Sequence, residues 1–334
     1  MKYIIGAYAT APSTEQWHQE LETQYYQQLK SQDSISGIEH PFVGRLHPYD
    51  DDWFLKNINP DWQFVFTSIP GVMGCMAKNP HFGIASTNEE GRQAALAFYQ
   101  RAQQAIFKLN SHLDRQAVNF IKIHTAPKIT ASTHSSIEAL QTSLATMQSW
   151  DWYGAKLVIE HCDAHIDGQE AEKGFMSLAD EITAIKHVNN MHNSDIGISI
   201  NWGRSAIETR SSTGPLLHIK QAYGCGLLKG IIFSGASGIE GPYGQWKDTH
   251  MPPAQAFNIP SFAQGSHLTI EQIERSLQQC DCSQLDFIGG KISISPNQAS
   301  VDKRVCYINS LITLLDKVIL QKVTNPQPAN SLVR

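Results

Sequence analysis

Glutamate, histidine, cysteine and aspartate crowd into one short stretch, "KLVIEHCDAH", residues Lys156–His165. Leu157, Val158 and Ile159 run directly into Glu160, His161, Cys162, Asp163 and His165. An apolar strand ending in proton donors and acceptors suits general acid–base chemistry, because burial and neighbouring charges set the pKa of a carboxylate placed there. The pattern recurs along the chain. "SISGIEH" ends in Glu39 and His40, "AVNFIKIH" in His124, and "DIGISINWGR" in Asn201, Trp202 and Arg204. "LKGIIFS" ends in Ser234, and "FIGGKISIS" carries Lys291, Ser293 and Ser295.

Glu160, Glu39 and His124 are the candidate catalytic groups. Glu160 is expected to act as the base, its pKa raised by burial, with His124 or Glu39 as the partner acid. Asn201, Trp202, Arg204 and Lys291 are candidate substrate-binding groups. The Arg204 guanidinium suits a carboxylate, sulfonate or phosphate, and the Trp202 indole offers a flat face to a sugar ring. Neighbours on a strand point to opposite faces, so His161 is expected to face away from Glu160. The Gly-rich stretch Ser234–Phe257 is too long for a plain connection and holds Glu240, Tyr243, Trp246, Asp248 and His250. It is expected to fold over the site and bring Asp248 and His250 to the substrate.

The elements that must position these groups alternate. Apolar runs of strand length lie at 3–9, 34–40, 62–70, 117–127, 156–161, 195–203, 228–237 and 287–296. Between them fall stretches with helical spacing at 14–30, 88–112, 135–149, 171–191, 214–223 and 269–279, and a last one at 301–322. Strands separated by helical crossovers pair in parallel. Eight such units without a dividing linker predict one (β/α)8 barrel over residues 1–323, with 324–334 as a flexible tail. In that fold the strands' C-terminal ends meet at one mouth, so groups remote in sequence converge.

Composition narrows the partners. A net charge of −5 argues against nucleic acid as the main partner, since phosphate binding needs a basic face. No apolar run approaches the ~20 residues that cross a bilayer, and the N-terminal "MKYIIGAYATAPS" lacks the apolar segment of a signal peptide. The six cysteines are scattered, without disulfide-framework or zinc spacing. These features lead us to expect a cytoplasmic protein whose partner is a small molecule, self-association being left open.

"GIEH", "IEHCD" and "KDTHMPP" resemble the xylose isomerase-like barrels, a superfamily of sugar isomerases, sugar epimerases and an endonuclease. "YIIGAYATAP", "NWGRSAIE" and "WKDTHMPP" resemble more closely the uncharacterised bacterial domain-of-unknown-function family 4862. The superfamily resemblance implies a divalent metal on strands five to eight. Only Glu160 matches its usual ligands; Asn201, Ser234 and Ser293 or Ser295 stand at the other positions. No metal or other cofactor is therefore expected, with a different ion site on Glu160 and Asp248 or His250 as the alternative. The leading functional reading is a sugar isomerase or epimerase, with Lys291 or Arg204 stabilising the enediolate. A two-carboxylate glycoside hydrolase and a non-catalytic sugar-binding barrel are the rivals.

Overall fold

The computed structural model describes residues 2–12 and 16–324. Eight strands pair in parallel and in sequence order into a closed barrel. They are β1 (Tyr3–Ile5), β2 (Ile35–Pro41), β3 (Gln63–Thr67), β4 (Val118–Ile123), β5 (Lys156–His161), β6 (Gly197–Asn201), β7 (Leu228–Phe233) and β8 (Phe287–Gly290). The helices are α1 (Ala7–Thr10), α2 (Gln19–Lys30), α3 (Asp51–Asn57), α4 (Ile69–Met76), α5 (Glu89–Leu113), α6 (Ile137–Gln148), α7 (Leu178–His192), α8 (Trp202–Thr209), α9 (Gly214–Gly224), α10 (Ile270–Leu277) and α11 (Val301–Thr324). Among the described residues, no helix is long and apolar enough to cross a membrane.

Period-2 alternation divides the core. Ile4, Val65, Phe120, Val158, Ile232 and Phe287 pack together in a small cluster inside the barrel. The other strand faces join the much larger core beneath the helices. One step further along the inward face, Glu39, Lys122, Glu160 and Lys291 replace these apolar groups and are fully buried. Ring closure is reinforced by the Tyr3 hydroxyl, which donates to Asp316 Oδ1 on α11 at 2.7 Å.

Several boundaries differ from the sequence expectation for identifiable reasons. Helix α7 begins at Leu178 rather than near residue 171, because Gly174 turns the chain at φ +61° and the Ser177 side chain caps the helix by accepting from Asp180 N–H. The first apolar run is a short strand followed by the α1 turn, which places Tyr8 at the barrel mouth. Residues 13–15, where the expected first helix begins, and 325–334, nearly all of the expected tail, lie outside the described residues.

Candidate active site

Two carboxylates and two ammonium groups occupy the axis at the C-terminal end of the barrel. Glu39 comes from β2, Lys122 from β4, Glu160 from β5 and Lys291 from just beyond β8. Lys122 Nζ donates to Glu39 Oε2 at 2.5 Å and to Glu160 Oε1 at 2.9 Å. Lys291 Nζ donates to Glu39 Oε1 at 2.7 Å and lies 3.9 Å from Glu160 Oε1. It also reaches the Tyr8 hydroxyl at 3.3 Å. The stem of Lys291 needs Gly6: a Cβ there would stand 2.7 Å from Lys291 Cγ.

Further polar groups extend from Glu160. His124 Nε2 lies 3.1 Å from Glu160 Oε2, and His124 Nδ1 lies 2.9 Å from Ser68 Oγ. Arg204 Nη1 donates to Glu160 Oε2 at 2.5 Å, while its Nε donates to Asp248 Oδ2 at 3.0 Å. Lys173 Nζ pairs with the same Asp248 oxygen at 2.9 Å. His250 Nδ1 lies 3.2 Å from Asp248 Oδ1. Glu39, His124, Glu160, Asp248 and His250 thus belong to one connected polar network, with Arg204 at its centre.

Charge balance fixes the protonation states. Burial pushes the Glu160 carboxyl up, but Lys122, Lys291 and Arg204 outweigh it and hold the group well below the usual carboxylate range. Glu39 is likewise pushed up by burial and drawn below its ordinary value by Lys122 and Lys291. Asp248 follows the same rule through Arg204 and Lys173. The expectation that burial would raise Glu160 is therefore corrected: three cations win. The imidazoles go the other way. Burial lowers His124 to about 4 despite its hydrogen bond to Glu160, and lowers His250 to about 3 despite Asp248. Both rings are neutral at pH 7.

The remaining expected residues divide. Asn201 caps α8: its Oδ1 accepts from Arg204 N–H at 3.3 Å and from Ser234 Oγ at 2.8 Å, leaving Nδ2 buried without a partner. Trp202 turns the other way. Its indole is fully buried in the helix layer and donates to Ser276 Oγ on α10 at 2.9 Å, so it does not offer a stacking face to the barrel mouth. The 234–257 stretch does cover the site, anchored by a two-way backbone bridge between Gly235 and Met251 and by Ser293 N–H donating to His250 O at 2.7 Å. A cavity of about 310 Å³ lies within this lid, beside Ile239, Tyr243 and Met251, rather than over Glu160. The side chains of Glu39, Lys122, Glu160 and Lys291 have no solvent-exposed surface in this closed arrangement.

The donor set does not suit a divalent metal. The places between the carboxylates are filled by ammonium groups, and the Arg204 guanidinium bridges Glu160 to Asp248. Asn201 and Ser234 bond to each other, while Ser293 donates to the Thr249 carbonyl and Ser295 lies against Pro242 and Tyr243. A cation beside Glu160 would face three positive neighbours, with neutral groups at the other implied ligand positions.

Lys122, Lys173 and Tyr8 are site residues that sequence reasoning missed. Lys122 was readable by parity: in "FIKIH" it shares the face of His124. Lys173 fell inside an expected helix, and Tyr8 inside an expected strand.

The closed parallel barrel, with its polar groups gathered at one mouth, is a TIM barrel similar in fold to the xylose isomerase-like proteins. Solved structures similar to this chain include a D-psicose 3-epimerase in the presence of D-fructose, at 12% identity, TM-score 0.53, and 97% and 99% coverage of this chain and that one. A putative xylose isomerase from Rhodospirillum rubrum gives 9% identity, TM-score 0.59, and coverage of 95% and 98%. A sugar phosphate isomerase/epimerase from Parabacteroides distasonis gives 9% identity, TM-score 0.55, and coverage of 93% and 97%. At such identities the likeness is one of fold. The chain belongs to the family described as Domain of unknown function (DUF4862), whose model matches residues 4–307. An uncharacterized protein of Salmonella typhimurium (strain LT2) is 34% identical over 316 residues, 94% of this chain and 97% of that protein.

Proposed function

We propose that this protein is a sugar or sugar-derivative isomerase or epimerase that moves a proton alpha to a carbonyl. The observation that carries the reading is the pair of ionised carboxylates, Glu39 and Glu160, joined by one lysine ammonium and flanked by a neutral imidazole. An ionised carboxylate can accept a carbon-bound proton. An enediolate needs positive charge poised beside it. Lys122, Lys291 and Arg204 provide that charge from the protein itself. In this scheme Glu160 is the base, His124 moves protons to and from the sugar oxygens, and Lys291 and Arg204 hold the enediolate. The reading derives no step from a metal or other cofactor. Fold neighbours that include a D-psicose 3-epimerase and a sugar phosphate isomerase/epimerase support the same kind of chemistry.

Closure of the mouth supports the reading further, since a reactive enediolate must be kept from water. Substrate entry requires the 234–257 lid to lift, breaking the Asp248 contacts to Arg204 and Lys173. Glycoside hydrolysis fits less well. It needs one carboxyl held protonated as the acid, and here Glu39 and Glu160 are both drawn downward.

The test is solvent exchange. The protein is incubated in D2O with a panel of ketoses, aldoses and their phosphates, and carbon-bound deuterium is read by NMR and mass spectrometry. Deuterium incorporation at a carbon alpha to a carbonyl, lost in Glu160→Gln, is expected for at least one sugar. Release of two products from a glycoside would establish the hydrolase instead, and sugar binding without exchange would leave a non-catalytic barrel.

A further inference from the structure

The end of β5 carries chemistry on its outer face as well. His161 points into the layer between the barrel and α7–α9, where it meets Glu181, Glu208 and His218. None of these groups takes part in the axial network. We infer that His161, Glu208 and His218 form a binding site for a zinc-type divalent cation on the outer wall of the barrel.

Geometry is the first argument. One ligand atom from each of the three residues lies within 4.8 Å of the others. His161 Nε2 stands 2.9 Å from Glu208 Oε2, and His218 Nε2 stands 3.5 Å from Glu208 Oε1. Zinc–ligand bonds of about 2.0–2.2 Å in a tetrahedron require ligand atoms roughly 3.3 Å apart, so small side-chain adjustments close the site. The two rings are edge to face, 4.9 Å between centroids.

The supporting groups are the second argument. A metal-bound histidine gives its other ring nitrogen to a carboxylate, carbonyl or hydroxyl that fixes its orientation. Both histidines have such a partner here. His161 Nδ1 lies 2.8 Å from Glu181 Oε2, and Glu181 is itself held by Thr125 Oγ1, which donates to Oε1 at 2.7 Å. His218 Nδ1 lies 2.9 Å from Ser205 Oγ. Glu208 is steadied by Ala164 N–H at 2.9 Å.

Charge is the third. Glu181 is fully buried and Glu208 nearly so, yet among the described residues no lysine or arginine pairs with either. In the barrel mouth, by contrast, the buried carboxylates Glu39, Glu160 and Asp248 are matched by lysine or arginine. Burial pushes the His161 ring down, but Glu181 and Glu208 outweigh it and raise it to about 10; a divalent cation on Nε2 would take the place of that proton. Two imidazoles and one carboxylate favour zinc over magnesium or calcium, which prefer all-oxygen sets. The side chains of His218 and Glu208 each retain 11% exposure, which leaves a solvent side for a water as fourth ligand.

The experiment uses the full chain, stripped with EDTA, dialysed, and titrated with ZnCl2 by calorimetry and thermal melting. Cobalt(II) serves as a spectroscopic probe. We expect about one zinc per chain, a higher melting temperature, and cobalt d–d bands of a tetrahedral nitrogen–oxygen site. His218→Ala and Glu208→Gln should abolish uptake, and Glu181→Gln should weaken it by about 10–100-fold through the His161 ring. Glu39→Gln, in the barrel mouth, should leave zinc affinity unchanged. If either ligand variant fails to fold, as judged by circular dichroism, His218→Asn is read in its place. Absence of zinc uptake by the wild-type chain overturns the proposal, as does uptake that survives loss of His218 or that disappears with Glu39.

Discussion

Glu160 and His161 are adjacent in sequence and sit in opposite electrostatic worlds. On the inner face, Glu39, Glu160 and Asp248 are matched by Lys122, Lys291, Arg204 and Lys173. On the outer face, the ion-pair partners of Glu181 and Glu208 among the described residues are imidazoles alone. The contrast teaches that burial does not determine a carboxylate's role. The inner acids are held ionised by lysine and arginine, while the outer acids rely on an imidazole for their positive charge.

The largest effect should come from removing the group that joins the inner network. Glu160→Gln takes a partner from Lys122, Arg204 and His124 at once. Losing one member of a buried ion pair costs about 3–5 kcal/mol, and losing a general base slows turnover by about 10²–10⁴-fold. Urea unfolding and the deuterium-exchange assay measure the two separately. A stability loss under about 1 kcal/mol would mean that the network is not the structural centre described above.

Next in size is the lid. Asp248→Asn combined with His250→Ala removes the latch on Arg204 and Lys173, which should cost about 1–3 kcal/mol and most of the turnover. Normal turnover in the double variant would reduce this stretch to packing.

Acid should then weaken the inner face in a defined direction. His124 and His250 titrate near 4 and 3 when folded, below their ordinary 6.5. Between those values the unfolded chain binds protons that the folded chain does not. Stability is therefore fully present above about pH 6.5 and falls as pH drops toward 4. The depressed Glu39, Glu160 and Asp248 act in the same sense, losing their contribution as pH falls through their folded values. Replacing His124 with Gln should flatten the slope of stability against pH by up to about 1.4 kcal/mol per pH unit over that window. Urea midpoints at pH 7, 6 and 5 test this, and an unchanged slope would show that His124 is not buried neutral.

The smallest effect is expected from Trp202→Phe. Only the hydrogen bond to Ser276 and some packing are lost, about 1 kcal/mol, with KM unaltered. A raised KM would return the indole to the substrate site.

The barrel itself was legible because each strand is a short apolar run and each crossover shows helical spacing. Strand ends also gave Glu39, His124 and Glu160, since a polar residue closing an apolar run is visible without coordinates. Lys122 sits mid-run and was passed over, although its parity with His124 marks it as inward. Trp202 was misplaced because Asn201 ends β6 and caps α8, turning the next side chain into the helix layer. The charge state of Glu160 was not legible at all: it depends on Lys122, Lys291 and Arg204, brought together from three other elements. The outer cluster was hidden for the same reason, as its members come from β5, α7, α8 and α9.

The alternation at the end of β5 also limits how this gene can change. Removing one codon from the Lys156–Ile159 segment while keeping the strand paired would turn His161 toward the axis and Glu160 toward the helices, exchanging the two faces in a single step. Point substitutions in Leu157 or Val158 alter only packing. A length change there would dismantle the lysine-bridged pair and the outer cluster together, so viable insertions and deletions in this part of the chain should map to the loops on either side of the strand.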